Sequence, residues 1–124
     1  MDITKKKVLL IPMDYVLTDG GGLTDFHVRR EILDRIRSLN ITRVVIIYSN
    51  SEDKDFFAKV KAIEFFVFAY CKTAVSVALK GADMLDNIMS SLSYRLRSKE
   101  FCVCIGDKVD GVDDITMEDF LCTQ

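Results

Sequence analysis

Apolar residues fall along this chain in two rhythms. Val8–Ile11, Arg43–Tyr48 and Phe101–Ile105 are short, nearly unbroken apolar runs of the kind that strands buried on both faces require. Between the first two, Phe26, Val28, Ile32, Leu33, Ile36 and Leu39 recur at helical spacing, so Thr24 is expected to cap a helix running to about Leu39. Arg29, Arg30, Asp34, Arg35 and Arg37 fall largely on its other side. Ser49, Asn50 and Ser51 offer caps for a helix over Asp53–Ala62. Glu64–Tyr70, dense in phenylalanine, reads as a further strand, and Ala74–Leu79 fits either strand or loop. Met84, Leu85, Ile88, Met89, Leu92 and Leu96 form a stripe that predicts a helix over Ala82–Arg97. The acidic tail Val112–Gln124 is expected to close as a short helix or edge segment. Strand alternating with helix predicts an α/β, Rossmann-like fold: a mostly parallel sheet with helices on both faces, three layers in all.

At 124 residues the chain is expected to form one domain, 1–124, large enough for a real core. Its formal net charge of -2 argues against a surface dedicated to nucleic acid, and Lys5-Lys6-Lys7 is read as a solvated lead-in to the first strand. The four cysteines form no C-x-x-C pair, and His27 is the single histidine, too few ligands for a zinc site. Cys102 and Cys104 alternate within a strand and share a face. Buried structural thiols in a reducing cytoplasmic setting are the expectation. The apolar run Val8–Met13 is too short to span a membrane.

Three strand ends carry polar groups: Asp14 after the first, Ser49-Asn50 after the second, Gly106-Asp107 after the last. In open parallel sheets, ligands bind outside the carboxyl ends of the strands. Hydroxyl and amide groups opening a helix cradle phosphate, and two facing carboxylates suit magnesium. Taken singly, each residue has a plainer use as a helix cap, a turn or a loop start. Gly20-Gly21-Gly22 lacks the spacing of a dinucleotide fingerprint, and His27 is read as a surface or capping residue.

Four segments together resemble the haloacid dehalogenase (HAD) phosphohydrolases, whose fold would here be a core without a cap domain. Val8-Leu-Leu-Ile-Pro-Met-Asp-Tyr-Val-Leu-Thr-Asp-Gly20 resembles the first motif, an apolar strand followed by Asp-x-Asp-Gly-Thr/Val-Leu-Thr-Asp-Gly. Asp14 takes the second aspartate, and Leu17, Thr18, Asp19 and Gly20 match directly. Ser49-Asn50 resembles the second motif, which holds the phosphoryl group. Lys80 resembles the third, which neutralises it. Gly106-Asp107 resembles the fourth, which holds magnesium, with Asp110 or Asp113 as an imperfectly spaced second acid. Leu-Thr-Asp-Gly-Gly is similar to the small phosphatases of 3-deoxy-octulosonate 8-phosphate, and the polynucleotide 3′-phosphatases are a second comparison.

Two positions depart from the motif. Pro12 stands where the family keeps its nucleophilic, metal-ligating aspartate, and Tyr15 where it keeps glycine. Loss of a covalent nucleophile can cost on the order of a millionfold in rate, or roughly 8 kcal/mol of transition-state stabilisation. The resemblance therefore implies a degenerate domain acting in binding, regulation or structure, with phosphate near Ser49, Asn50 and Lys80. Magnesium at Asp14, Asp107 and Asp110 would be weakened. An open site would suit a protein partner or a second copy of the chain. The alternative is an active magnesium-dependent phosphomonoesterase with an atypical site, Asp14 serving as acid/base and Lys80 assisting.

Overall fold

A computed structural model describes residues 1–19, 26–49 and 55–122. Its centre is a five-stranded, all-parallel sheet in the order β5-β4-β1-β6-β7. The strands are β1 (Val8–Pro12), β4 (Arg43–Tyr48), β5 (Ala74–Leu79), β6 (Cys102–Ile105) and β7 (Asp113–Ile115). Two further short strands, β2 (Leu17–Asp19) and β3 (Phe26–Val28), pair antiparallel beside the sheet. The helices are α1 (Met13–Val16), α2 (Arg30–Ser38), α3 (Phe56–Cys71), α4 (Met84–Ser91) and α5 (Met117–Cys122).

The two-residue period of the strands divides the core into two faces. Leu9, Ile11, Val44, Ile46, Val103 and Ile105 meet Ile32, Leu33 and Ile36 of α2, Val60, Ile63 and Val67 of α3, and Phe120 of α5. Val8, Leu10, Val45, Ile47, Cys102 and Cys104 meet Met84 and Ile88 of α4, with Leu92 just beyond it. β1, β4 and β6 are therefore buried on both sides, which is why their sequences are apolar without alternation. Full burial of each such aliphatic side chain contributes ~1.5–3 kcal/mol. The architecture is the Rossmann-like α/β layering read from the sequence. Stretches 20–25 and 50–54, outside the described residues, are too short for a lid domain, and α2, α3 and α4 take up the long strand connections.

Several boundaries differ from expectation. Glu64–Tyr70 is not a strand but the second half of α3, which runs unbroken until Lys72 takes a left-handed cap conformation (φ 57°). No glycine or proline interrupts that run, and Val60, Ile63 and Val67 supply the buried helical stripe beneath exposed phenylalanines. The third long strand is instead Ala74–Leu79, where Val75 and Val77 favour extended backbone. Phe26–Val28, His27 included, is strand rather than helix, because β2 offers it a partner, and α2 begins only at Arg30. The expected helix over Ala82–Arg97 is shorter: α4 ends at Ser91, with a separate turn of 3₁₀ helix at Tyr94–Leu96. The last run begins its pairing one residue late, at Cys102 rather than Phe101. The tail supplies both expected forms, β7 at the edge and α5 as a short helix. Gly20-Gly21-Gly22, Thr24, Asn50, Ser51 and Asp53 lie outside the described residues. Among the described residues, no helix is long and apolar enough to cross a membrane.

Candidate functional site

From β1 the chain moves outward through β4 to β5, then returns to place β6 on the other side of β1. Strand order thus reverses at β1, and the crevice at the carboxyl end of that strand is where such sheets bind ligands. A cavity of about 340 Å³ lies there, lined among others by Pro12, Asp14, Tyr15, Ser49, Lys80 and Asp107. The residues that four separate sequence segments put forward are therefore brought together at one place.

Each arrives for a local reason. Pro12 is the last residue of β1, with φ -60° and ψ 140°. It still lies beside Ile47 of β4, whereas the pairing with β6 ends at Leu10, so its missing N–H falls where one ladder has already stopped. The next four residues form a single helical turn, α1, that buries Met13 and Val16 and leaves Asp14 and Tyr15 exposed. Arg29 secures this turn from outside: its backbone N–H donates to the Val16 carbonyl at 2.9 Å, and its guanidinium reaches the Tyr15 carbonyl at 3.4 Å. Glu31 holds the same guanidinium at 2.6 Å.

Ser49 follows β4 directly, and Lys80 follows β5. The Lys80 backbone N–H donates to the Tyr48 carbonyl at 2.8 Å, which ties the two strand ends together. Its ammonium lies 3.4 Å from a carboxylate oxygen of Asp107. With Lys80 58% and Asp107 35% exposed, this is a solvated pair of small energetic weight, so an incoming anion can compete for the ammonium. Asp107 is placed by Gly106, whose φ of +80° a side chain would strain. A Cβ at that position would overlap the ring of Tyr15. Tyr15 thus occupies one wall of the cavity, against the Gly106 backbone.

Asp110 does not join this set. It borders a neighbouring hollow of about 400 Å³ that shares Lys80 and Asp107 as a common wall. The loop after Gly106 turns again at Gly111 (φ +80°) and carries Asp110 with it. Asp113, the other candidate acid, points elsewhere and pairs with Lys6 at 2.7 Å. Asn50 lies outside the described residues. Of the three acids that the resemblance assigns to magnesium, only Asp14 and Asp107 line this cavity. Among the described residues, no three acidic, histidine or cysteine side chains gather closely enough to hold a metal ion. Two carboxylates can still anchor magnesium when a bound phosphate supplies further oxygens.

Sequence reasoning did not identify Lys59, which lines the same cavity from the first turn of α3 beside Phe56. A lysine just inside a helix that follows a strand end was the available signal. Burial raises the thiols of Cys102 and Cys104, both to about 11, and they face the core rather than the cavity. Cys71 is half-buried and donates to the Leu33 carbonyl, while Cys122 is exposed, so the expectation of buried thiols holds for the β6 pair and fails for Cys122. No protein-family model matches this chain, and no curated protein or solved structure matches it either.

Proposed function

We propose that the domain is a HAD-like phosphate-binding module that does not hydrolyse its ligand. The supporting observation is the convergence of Ser49, Lys80, Asp14 and Asp107 around a cavity whose β1 corner is Pro12. The ligand in this reading is a phosphomonoester. Its anionic oxygens displace Asp107 from the Lys80 ammonium and take a hydrogen bond from the Ser49 hydroxyl, and Lys59 adds positive charge from α3.

Hydrolysis by the family's route needs a carboxylate at position 12 to attack phosphorus. Proline has no nucleophilic atom there and none to ligate magnesium. Asp14 is carried two residues on by α1, so it cannot stand in without moving that turn. Magnesium, where present, would rest on Asp14, Asp107 and the phosphate itself. The uncapped mouth leaves room for a protein partner or a second copy of the chain, which fits a regulatory or structural role. Buried, unpaired thiols at Cys102 and Cys104 suit a reducing compartment such as the cytoplasm.

The test is phosphatase activity with magnesium over a panel of phosphomonoesters, comparing the native chain with Pro12→Asp, alongside calorimetric binding of the same compounds. The expected result is a silent native chain that binds at least one compound, with binding lost in Lys80→Ala. Native turnover would refute the proposal. It would favour the second reading, an atypical phosphomonoesterase of the sugar-phosphate or polynucleotide 3′-phosphate kind, which draws support from Asp14 and Asp107 bordering one cavity. Asp14→Asn should then abolish the activity.

A further inference from the structure

β5 is the outermost strand on its side of the sheet. Its sequence, Ala-Val-Ser-Val-Ala-Leu, carries no charge, and Val77 and Leu79 are 41% and 54% exposed. Folded chains usually blunt such an edge with lysine, proline or a bulge, because its free backbone groups are a template for another strand. The register sets Val75, Val77 and Leu79 beside Val44, Ile46 and Tyr48, on the sheet face that α3 covers.

α3 extends the same apolar surface. Phe57, Phe65 and Phe68 are 71%, 67% and 62% exposed. Their spacing places them on one stripe of the helix, with Lys61 and Glu64 between them. Phe65 and Phe68 share a shallow hollow with Val75 of the edge strand, so helix and strand present a continuous surface.

We propose that this α3–β5 edge is where two copies of the chain meet, β5 running antiparallel to β5 about a two-fold axis, with the α3 stripes flanking the seam. Three considerations favour a second copy over an unrelated occupant. With ~200 Å² per phenylalanine, the three rings alone expose ~400 Å², and Val77 and Leu79 bring the patch above ~500 Å². That is well over half of the ~800 Å² each partner contributes to a standard interface, and the strand backbone and polar rim supply the remainder. The charges are self-complementary: Lys61 and Glu64 lie 3.8 Å apart, and a two-fold axis lets each lysine face Glu64 of the second copy. Antiparallel pairing of β5 with itself opposes only uncharged residues, so no like charges meet across the seam.

The test is sedimentation-equilibrium mass over a concentration series, joined to hydrogen exchange of the β5 amides. The native chain should approach twice its 14.1 kDa monomer mass, with slow exchange at the outer edge of β5. Phe65→Asp with Phe68→Asp should return it to the monomer, each change weakening association ~30-fold or more. Val77→Lys, which leaves α3 untouched and sits at an exposed position, should do the same and guards against a folding defect in the first variant. A native chain that stays monomeric at every concentration overturns the proposal. So does a dimer that survives both variants, or one whose outer β5 amides exchange freely.

Discussion

The ring of Tyr15 lies against the backbone of Gly106, so the helical turn after β1 and the loop after β6 meet at one contact between two residues 91 positions apart. That contact fixes a wall of the cavity and forbids a side chain at position 106. Gly106→Ala should cost ~1–3 kcal/mol, from a positive φ and from displacement of the ring. Adding Tyr15→Ala should recover the steric part and leave the backbone part. Urea titrations of the two single variants and the double variant measure both. Simple additivity of the two single effects would show that the contact is not formed.

The cysteines should divide by reactivity. Cys122 is exposed, whereas burial pushes Cys102 and Cys104 up to about 11. The thiolate is the reactive species, so alkylation of the folded chain near neutral pH should label Cys122 first and Cys71 more slowly. Cys102 and Cys104 should react only on unfolding. Peptide mapping after a timed pulse of iodoacetamide reads the order, and early labelling of either β6 cysteine would contradict the packing described.

Lys6 is nearly buried at 6% exposure and donates to both Asp113 and the Glu100 carbonyl at 2.7 Å. That hydrogen bond, and then the lysine's charge, hold the Asp113 carboxyl below its ordinary range. A carboxyl depressed on folding stabilises the fold fully above the ordinary carboxylate value and loses that contribution as pH falls through the folded one. The loss therefore belongs below about pH 4. Asp113→Asn should flatten the acid limb of stability against pH, with Asp2 and Glu31, also lowered, contributing what remains. Superimposable acid limbs for the two proteins would remove Asp113 from the account.

Phe120 is fully buried and joins α5 to the face of the sheet covered by α2. Its carbonyl also accepts from the Arg35 guanidinium at 2.8 Å. Phe120→Ala should cost ~3–5 kcal/mol, the usual range for emptying an aromatic site in a core. Thermal melts should show the loss, whereas a change at exposed Phe57 should leave the monomer's stability within ~0.5 kcal/mol. A Phe120 variant as stable as the native chain would mean that α5 does not dock.

The parts of the fold legible in the sequence were those whose burial is the same on every side. β1, β4 and β6 are enclosed between two helical layers, so their apolar runs could be read without knowing what lay beside them. The candidate site was legible for the same reason, since Asp14, Ser49 and Asp107 stand immediately after those runs. α3 was misread because phenylalanine occupies its exposed stripe as well as its flanks, which conceals the helical period set by Val60, Ile63 and Val67. β3 was missed because three residues become a strand only through their partner, and nothing local in Phe26–Val28 names Leu17–Asp19. Lys59 escaped because the helix start it belongs to was placed three residues too early.

The two rims of the sheet are chemically unlike. β5 ends one side without a charge, while β7 ends the other with two exposed acids, Asp113, which is paired with Lys6, and Asp114. Two acidic rims brought together would repel, whereas two β5 rims would not. In the proposed β5–β5 pair the two-fold axis consumes both uncharged edges and turns both acidic β7 edges outward, so that pair is closed rather than the seed of a ribbon.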